Sequence, residues 1–330
     1  MRSKVLLAGA LVAVLTASAC GGKQTQDPPA QGGPAACEAS DGRITIATGN
    51  TGGVYYVLGG GLAQVISANS KLKATAAETG ASVQNIEQLV AGAYDIAFTL
   101  ADTASDAVGG KEAFNGKPQK IQALARIYSN ATQVVVRADS GINSVADMRG
   151  KRISTGSPKS GTEVIANRIL AGAGLKPDTD VQAQRLALGK TVEGMKAGTL
   201  DGLFWSGGLP TPEITDLTTS MGGAVKFIDV TPQLGALKQI SPVYESGAIP
   251  AATYKLPADV PTVMVPNMLV VREDFPANNA CAISKLLFDR KADLEQVHPA
   301  AKLITKDHAA HTLPVPLHPG AEQGLGMQAH

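Results

Sequence analysis

The chain has 330 residues, 44% of them apolar, with 29 Lys and Arg against 28 Asp and Glu and a net charge of +1. That composition is too apolar for a disordered chain and holds no basic run, which excludes nucleic acid as a partner. The length suits more than one ordinary domain, and no segment reaches the roughly 20 uncharged apolar residues of a membrane span.

Arg2 and Lys4 precede an apolar stretch of about 15 residues, Val5 to Ala19, which suits the core of a signal peptide. Ala17-Ser18-Ala19-Cys20 reads as a bacterial lipobox, although Ala17 stands where Leu is favoured. An ordinary secretory signal with an incidental cysteine is the alternative. Residues 1–19 are therefore expected to be removed and Cys20 to be lipidated. That would leave the protein exported and anchored to the outer face of the cytoplasmic membrane. Residues 20–40, rich in Gly, Pro and Gln from Gly21 to Ala36, read as a flexible tether. The remaining cysteines are Cys37 and Cys281. In an oxidising compartment they are expected to bridge, with two free thiols as the alternative.

Beyond the tether, Arg43 to Thr48 reads as a strand entering a turn, Gly49-Asn50-Thr51-Gly52-Gly53. A helix follows with Leu58, Leu62, Val65 and Ile66 on one stripe. Lys73–Ala77 reads as a strand, Ser82–Ala91 as a helix and Tyr94–Thr99 as a strand. This βαβαβ order predicts a mainly parallel sheet covered by helices. Gln133–Arg137 opens a second unit. Val145–Gly150 reads as a short helix and Arg152–Thr155 as a strand entering a second turn, Gly156 to Gly161. The next helix carries Val164, Ile165, Ile169 and Leu170 and stops near Gly172. Thr191–Ala197 reads as a helix, Gly202–Trp205 as a strand and Val263–Arg272 as a return strand. A helix through Cys281, Ile283, Leu286, Leu287 and Phe288 follows. Strand, glycine turn and helix thus occur twice, as two α/β lobes would show. Lobe I is expected over 41–135 plus 255–330 and lobe II, inserted, over 136–254, with a ligand cleft between them.

The two turns carry the chemistry. A helix start exposes unpaired N–H groups and partial positive charge, and glycine before it admits a ligand to the backbone. Asn50 and Thr51 offer side-chain hydrogen bonds beside Gly53. Tyr55 and Tyr56 offer phenol groups, and one must face the core, since adjacent helical residues point about 100° apart. In the second turn Ser160 and Glu163 fit a capping box, leaving Ser157, Gly161 and Thr162 to face a ligand. This turn resembles a P-loop superficially but lacks the Lys after its second glycine, which excludes nucleotide hydrolysis. Trp205 and Ser206 sit at a strand's carboxyl end, where α/β folds bind ligands. His308 and His311 are three apart with no third metal ligand, and no Gly-x-Ser-x-Gly elbow occurs. The expectation is a binding protein with no catalytic residue, metal or cofactor. No arginine lies in the turns, and Arg126 and Arg137 are the candidates to pair with an anion.

Thr51-Gly-Gly-Val-Tyr-Tyr56, Gly156-Ser-Pro-Lys-Ser-Gly-Thr-Glu163, Ser206-Gly-Gly-Leu-Pro-Thr-Pro212, Val265–Arg272 and Pro316–Gly320 together resemble the TAXI family, solute receptors of TRAP transporters. The resemblance runs from about residue 43 to 322 and implies a type II periplasmic-binding-protein fold. It implies a monomer that delivers a small anionic solute to a TRAP membrane permease driven by an ion gradient, without ATP. The solutes it implies are small carboxylates, glutamate-like acids among them. Carried over, the ligand positions are Asn50, Thr51, Tyr55 and Tyr56 from one lobe and Ser157, Ser160, Thr162, Trp205 and Ser206 from the other. Where the family often has Gln-Ser-Asp, this chain has Leu100-Ala101-Asp102, which changes what a loop near the cleft can hydrogen-bond. An ABC-type receptor and a ligand-presenting signalling module are the alternative readings of the same fold.

Overall fold

The computed structural model describes residues 37–327. The expected signal peptide, Cys20 and the tether up to residue 36 lie outside the described residues. Within the expected tether, residues 37–40 are tied down. Cys37 is disulfide-bonded to Cys281, and the Ser40 N–H donates to Asn279 Oδ1 at 2.9 Å.

The first half of the molecule follows from its hydrophobic pattern. Gly42–Ala47 (β1) turns Ile44 and Ile46 inward. Val54–Asn69 (α1) buries Leu58, Leu62, Val65 and Ile66 on one stripe. Leu72–Ala77 (β2) and Ser82–Val90 (α2) follow, then Ile96–Leu100 (β3), buried at every position as a strand covered on both faces must be. Ala101–Gly109 (α3) starts without a loop. It has no large apolar stripe to betray it, because it packs through Ala101, Ala104 and Ala107. The short helix expected at 145–150 is a single 3₁₀ turn, Val145–Met148.

Ile121–Arg137 (β4) begins well before the expected Gln133 and carries the chain into the second half. There Arg152–Ser154 (β5), Gly161–Gly172 (α4), Gln182–Gln184 (β6), Leu188–Ala197 (α5) and Gly202–Gly207 (β7) repeat the parallel pattern. Pro212–Met221 (α6), Val225–Phe227 (β8), Leu234–Ile240 (α7), Glu245–Ile249 (β9) and Ala251–Tyr254 (α8) complete it. Val260–Arg272 (β10) returns the chain to the first half. Ala277–Asp289 (α9), Lys291–Val297 (α10), Lys306–Ala309 (α11) and Pro319–Gly324 (α12) then cover that half.

The strands form one ten-stranded sheet in the order β2-β1-β3-β10-β4-β7-β5-β6, with β8 on β4 and β9 on β10. The pairs β1–β2 and β1–β3 are parallel, whereas β10 runs antiparallel to both β3 and β4. Apolar clusters fill both faces of each half-sheet, so each half is a three-layer α/β/α sandwich. The two long strands join the halves. Residues 121–126 of β4 pair with β10 at 268–272, and residues 131–136 pair with β7.

The crossing point is irregular. The β4–β10 ladder pairs Ser129 with Pro266 and Arg126 with Met268, so Ile127 and Tyr128 together oppose Asn267. That is a bulge on β4 beside a proline that cannot donate to the ladder. The Asn267 side chain repairs the gap, donating to the Tyr128 carbonyl at 2.9 Å and to Asn130 Oδ1 at 2.8 Å.

Candidate functional site

A narrow cleft lies where the two halves meet, over this crossing. The start of α1 forms one wall. Gly53 is its N-cap without any side-chain cap, and the N–H groups of Val54 and Tyr55 have no acceptor among the described residues. The start of α4 faces it from the other half. Ser160 caps that helix by accepting the Glu163 N–H at 3.0 Å, and the N–H groups of Gly161 and Thr162 have no acceptor among the described residues. The capping box expected there is half realised: the Glu163 carboxylate takes the Lys159 N–H at 2.8 Å, one residue further out.

The start of α2 also borders the cleft, which sequence reasoning missed. Its Val83 and Gln84 N–H groups donate at 3.1 Å to the carbonyl of Lys159, in the opposite half. A backbone carbonyl of one half thus caps a helix of the other, and the halves are closed on each other.

Of the expected ligand positions, Asn50, Gly53, Tyr55, Ser160, Gly161, Thr162, Trp205 and Ser206 line the cleft. Thr51, Tyr56 and Ser157 do not. Thr51 is exposed at the tip of its turn, and Tyr56 points to solvent because Tyr55 takes the core-facing position. The Tyr55 hydroxyl donates to Asn267 Oδ1 at 2.5 Å, tying α1 to the crossing strands. The Ser157 hydroxyl donates to Asn50 Oδ1 at 3.0 Å, so these two residues bridge the halves.

Trp205 stands across the cleft from Gly53, where an added Cβ would lie 3.3 Å from the indole ring. Its Nε1 donates to Thr211 at 3.1 Å, and Thr211 is fixed in turn by Gln133 and Tyr254. Leu100, the departure noted from sequence, forms part of the wall.

Sequence reasoning missed Tyr128 and Asn130 as well. Tyr128 lines the cleft, is 1% exposed, and its hydroxyl has no hydrogen-bond partner among the described residues. Burial pushes that phenol well above its usual range, so it stays a neutral donor. Nothing in the local pattern marked it, because the bulge breaks the alternation that assigns strand faces.

Among the described residues, no ionisable side chain other than the two tyrosines lines the cleft. Arg126 pairs with Glu245 at 2.9 Å and Arg137 with Asp139 at 2.9 Å, both away from it. The buried arginine that does lie between the halves is Arg168 on α4. It bonds Asp106 at 2.6 Å, Asp102 at 3.3 Å and the Tyr244 hydroxyl at 3.0 Å. Burial works against its charge, but Tyr244, Asp102 and Asp106 outweigh that and hold the guanidinium protonated. Burial in turn raises Asp106, with Arg168 opposing. The site is therefore built from helix starts and hydroxyls, which suits an anion without a cationic side chain.

The NMT1-like family model matches residues 46–325 of this chain. Among solved structures, the binding-protein component of an ABC phosphonate transporter from Pseudomonas aeruginosa aligns with a TM-score of 0.55 at 12% identity, over 81% of each chain. A protein from Bordetella bronchiseptica aligns at 0.52 and 20% identity, over 86% of this chain and 88% of that one. The aliphatic sulphonate-binding protein SsuA of Escherichia coli aligns at 0.47 and 16% identity, over 88% and 84%. Identities this low speak to fold alone, and the fold is the mixed α/β, type II periplasmic-binding-protein fold.

Proposed function

The chain belongs to the NMT1-like family of solute-binding proteins, and from that membership we propose that it captures a small carboxylate outside the cytoplasm for a membrane transporter. One observation carries the reading: four N–H groups unpaired among the described residues, at Val54, Tyr55, Gly161 and Thr162, face one cleft from helix starts in opposite halves. A carboxylate bridging them completes hydrogen bonds from both halves at once, so it binds the closed form better and shifts the population toward it. The lobes are then 41–135 plus 255–330 and 136–254, moving about β4 and β10.

The finer reading is a TAXI receptor that hands its solute to a TRAP permease while Cys20 holds it by a lipid at the membrane. The five sequence motifs support it, and two of them form the facing helix starts. An ABC partner is the second reading, favoured by the fold likeness to the phosphonate transporter component. The test is calorimetric titration of the mature protein with mono- and dicarboxylates, followed by uptake in vesicles holding the permease. Binding of a carboxylate and ion-driven uptake without ATP are the expected results. Heat from none of the acids would overturn the binding reading, and a strict need for ATP would overturn the TRAP reading.

A further inference from the structure

The cleft is rich in donors and poor in acceptors. Besides the four free N–H groups it presents the Tyr128 hydroxyl, buried and unpartnered among the described residues. Its other side-chain oxygens, the Tyr55 and Tyr128 hydroxyls apart, are already accepting. Asn50 Oδ1 takes the Ser157 hydroxyl and the Leu188 N–H at 3.0 and 3.3 Å. Asn130 Oδ1 takes Asn267 Nδ2 at 2.8 Å, and Ser82 Oγ takes the Leu100 N–H at 3.1 Å. Ser160 Oγ takes the Glu163 N–H at 3.0 Å, and Thr162 Oγ1 takes the Ser206 N–H at 3.1 Å. The hydrogens these Ser160 and Thr162 hydroxyls retain add to the donors.

An α-ammonium group brings three donors and a positive charge and needs acceptors for all of them. Here it would meet two positive helix ends and the walls of Leu100, Val54 and Trp205, with no carboxylate among the lining residues; the nearest, Glu213, packs behind Gly52 outside that lining. Burying it unpaired is strongly unfavourable. We propose that the solute is a small organic acid with no ammonium group, and that the Tyr128 hydroxyl donates to it. The inference rests on the anion-binding reading above and narrows it: of the acids considered from sequence, it sets aside the amino acids.

The experiment is calorimetric titration of the mature protein with three matched pairs: glutarate and L-glutamate, pentanoate and L-norvaline, 3-phenylpropanoate and L-phenylalanine. In the best-binding pair the amine-free acid is expected to bind at least tenfold more tightly, since a buried charge left unpaired exceeds the ~1.4 kcal/mol of one decade. Tyr128→Phe is expected to raise the Kd of that acid about tenfold, the weight of one hydrogen bond to a charged group. An amino acid binding within about threefold of its partner, or more tightly, overturns the inference and leaves the anion site standing. Unchanged affinity in Tyr128→Phe overturns the role of the hydroxyl. Should Tyr128→Phe fail to fold, the paired titrations of the native protein still decide the solute class. Binding by neither member of any pair overturns the anion-site reading itself, and this inference with it.

Discussion

His298 and His318 each cap a helical turn through Nδ1, which accepts the amide N–H two residues along, at 3.1 Å from Ala300 and 3.0 Å from Gly320. An Nδ1 that accepts an amide hydrogen carries none of its own, so Nε2 holds the proton. It donates at 3.0 Å to the Pro210 carbonyl in His298 and at 2.9 Å to the Phe275 carbonyl in His318. Both rings must stay neutral to keep both bonds. Burial lowers the pKa of each, with the backbone bonds at Nε2 opposing. The unfolded chain therefore binds protons that the folded chain refuses, and stability rises with pH through this window. The contribution is fully present above the ordinary histidine value near 6.5 and is lost as pH falls through the lowered folded values. Urea midpoints should fall between pH 7.5 and 5. In a His298→Asn, His318→Asn double variant that pH dependence should shrink, since asparagine caps at either pH and each cap is worth about 1 kcal/mol. An unchanged pH profile in the double variant would show that other groups set it.

At the scale of one element, the first turn of α4 is where the site is most tightly specified. A Cβ added at Gly161 would lie 2.5 Å from Leu100 Cδ1 and 2.6 Å from Ser82 Oγ, both in the opposite half. The glycine is what lets the two halves meet. Gly161→Val should therefore leave the second half folded but hold the cleft ajar. The Kd of any solute should rise at least tenfold, the equivalent of ~1.4 kcal/mol, while the melting temperature of the free protein changes little. Leu100→Ala in that background should recover part of the affinity, which calorimetry of the three variants would read.

This same turn was legible in the sequence, as was the turn at 49–53. Strand, glycine and helix follow each other there without interruption, and the physics of a helix start is local. Tyr128 and the start of α2 were not legible, for two reasons. The strand bulge that turns Tyr128 to the cleft depends on Pro266 and Asn267, far along the chain. The capping of α2 depends on Lys159 in the other half. Thr51 and Tyr56 carry chemistry suited to a ligand, but a turn tip and a helix's outer face carry such residues equally well. The elements built on small residues, α3 above all, escaped because alanine gives no stripe to read.

Across the whole molecule, the closure proposed above would rest on a buried cluster as well as on the solute. Asp102 and Asp106 of α3 meet Arg168 of α4 and Tyr244, and the Tyr244 hydroxyl donates to Asp102 at 2.5 Å. Asp102 is fully buried, and the Arg168 side chain is only 8% exposed. Opening the halves would hydrate all of these groups, so in the proposed motion the cluster would exchange desolvation for ion pairing on closing. Such a cluster is weak evidence for stability, but breaking one partner is costly: about 3–5 kcal/mol when a buried charge is left uncompensated. Arg168→Met should therefore disfavour the closed state far more than it disfavours either half. In small-angle X-ray scattering, saturating solute should contract the native protein and contract Arg168→Met little or not at all. Replacing the whole cluster at once, as Asp102→Leu, Asp106→Leu, Arg168→Met, Tyr244→Phe, removes the uncompensated charges and should restore the contraction, because apolar packing of similar volume replaces a buried ion cluster at little cost. If Arg168→Met alone contracts as fully as the native protein, the cluster merely fills the interface and the solute carries closure by itself.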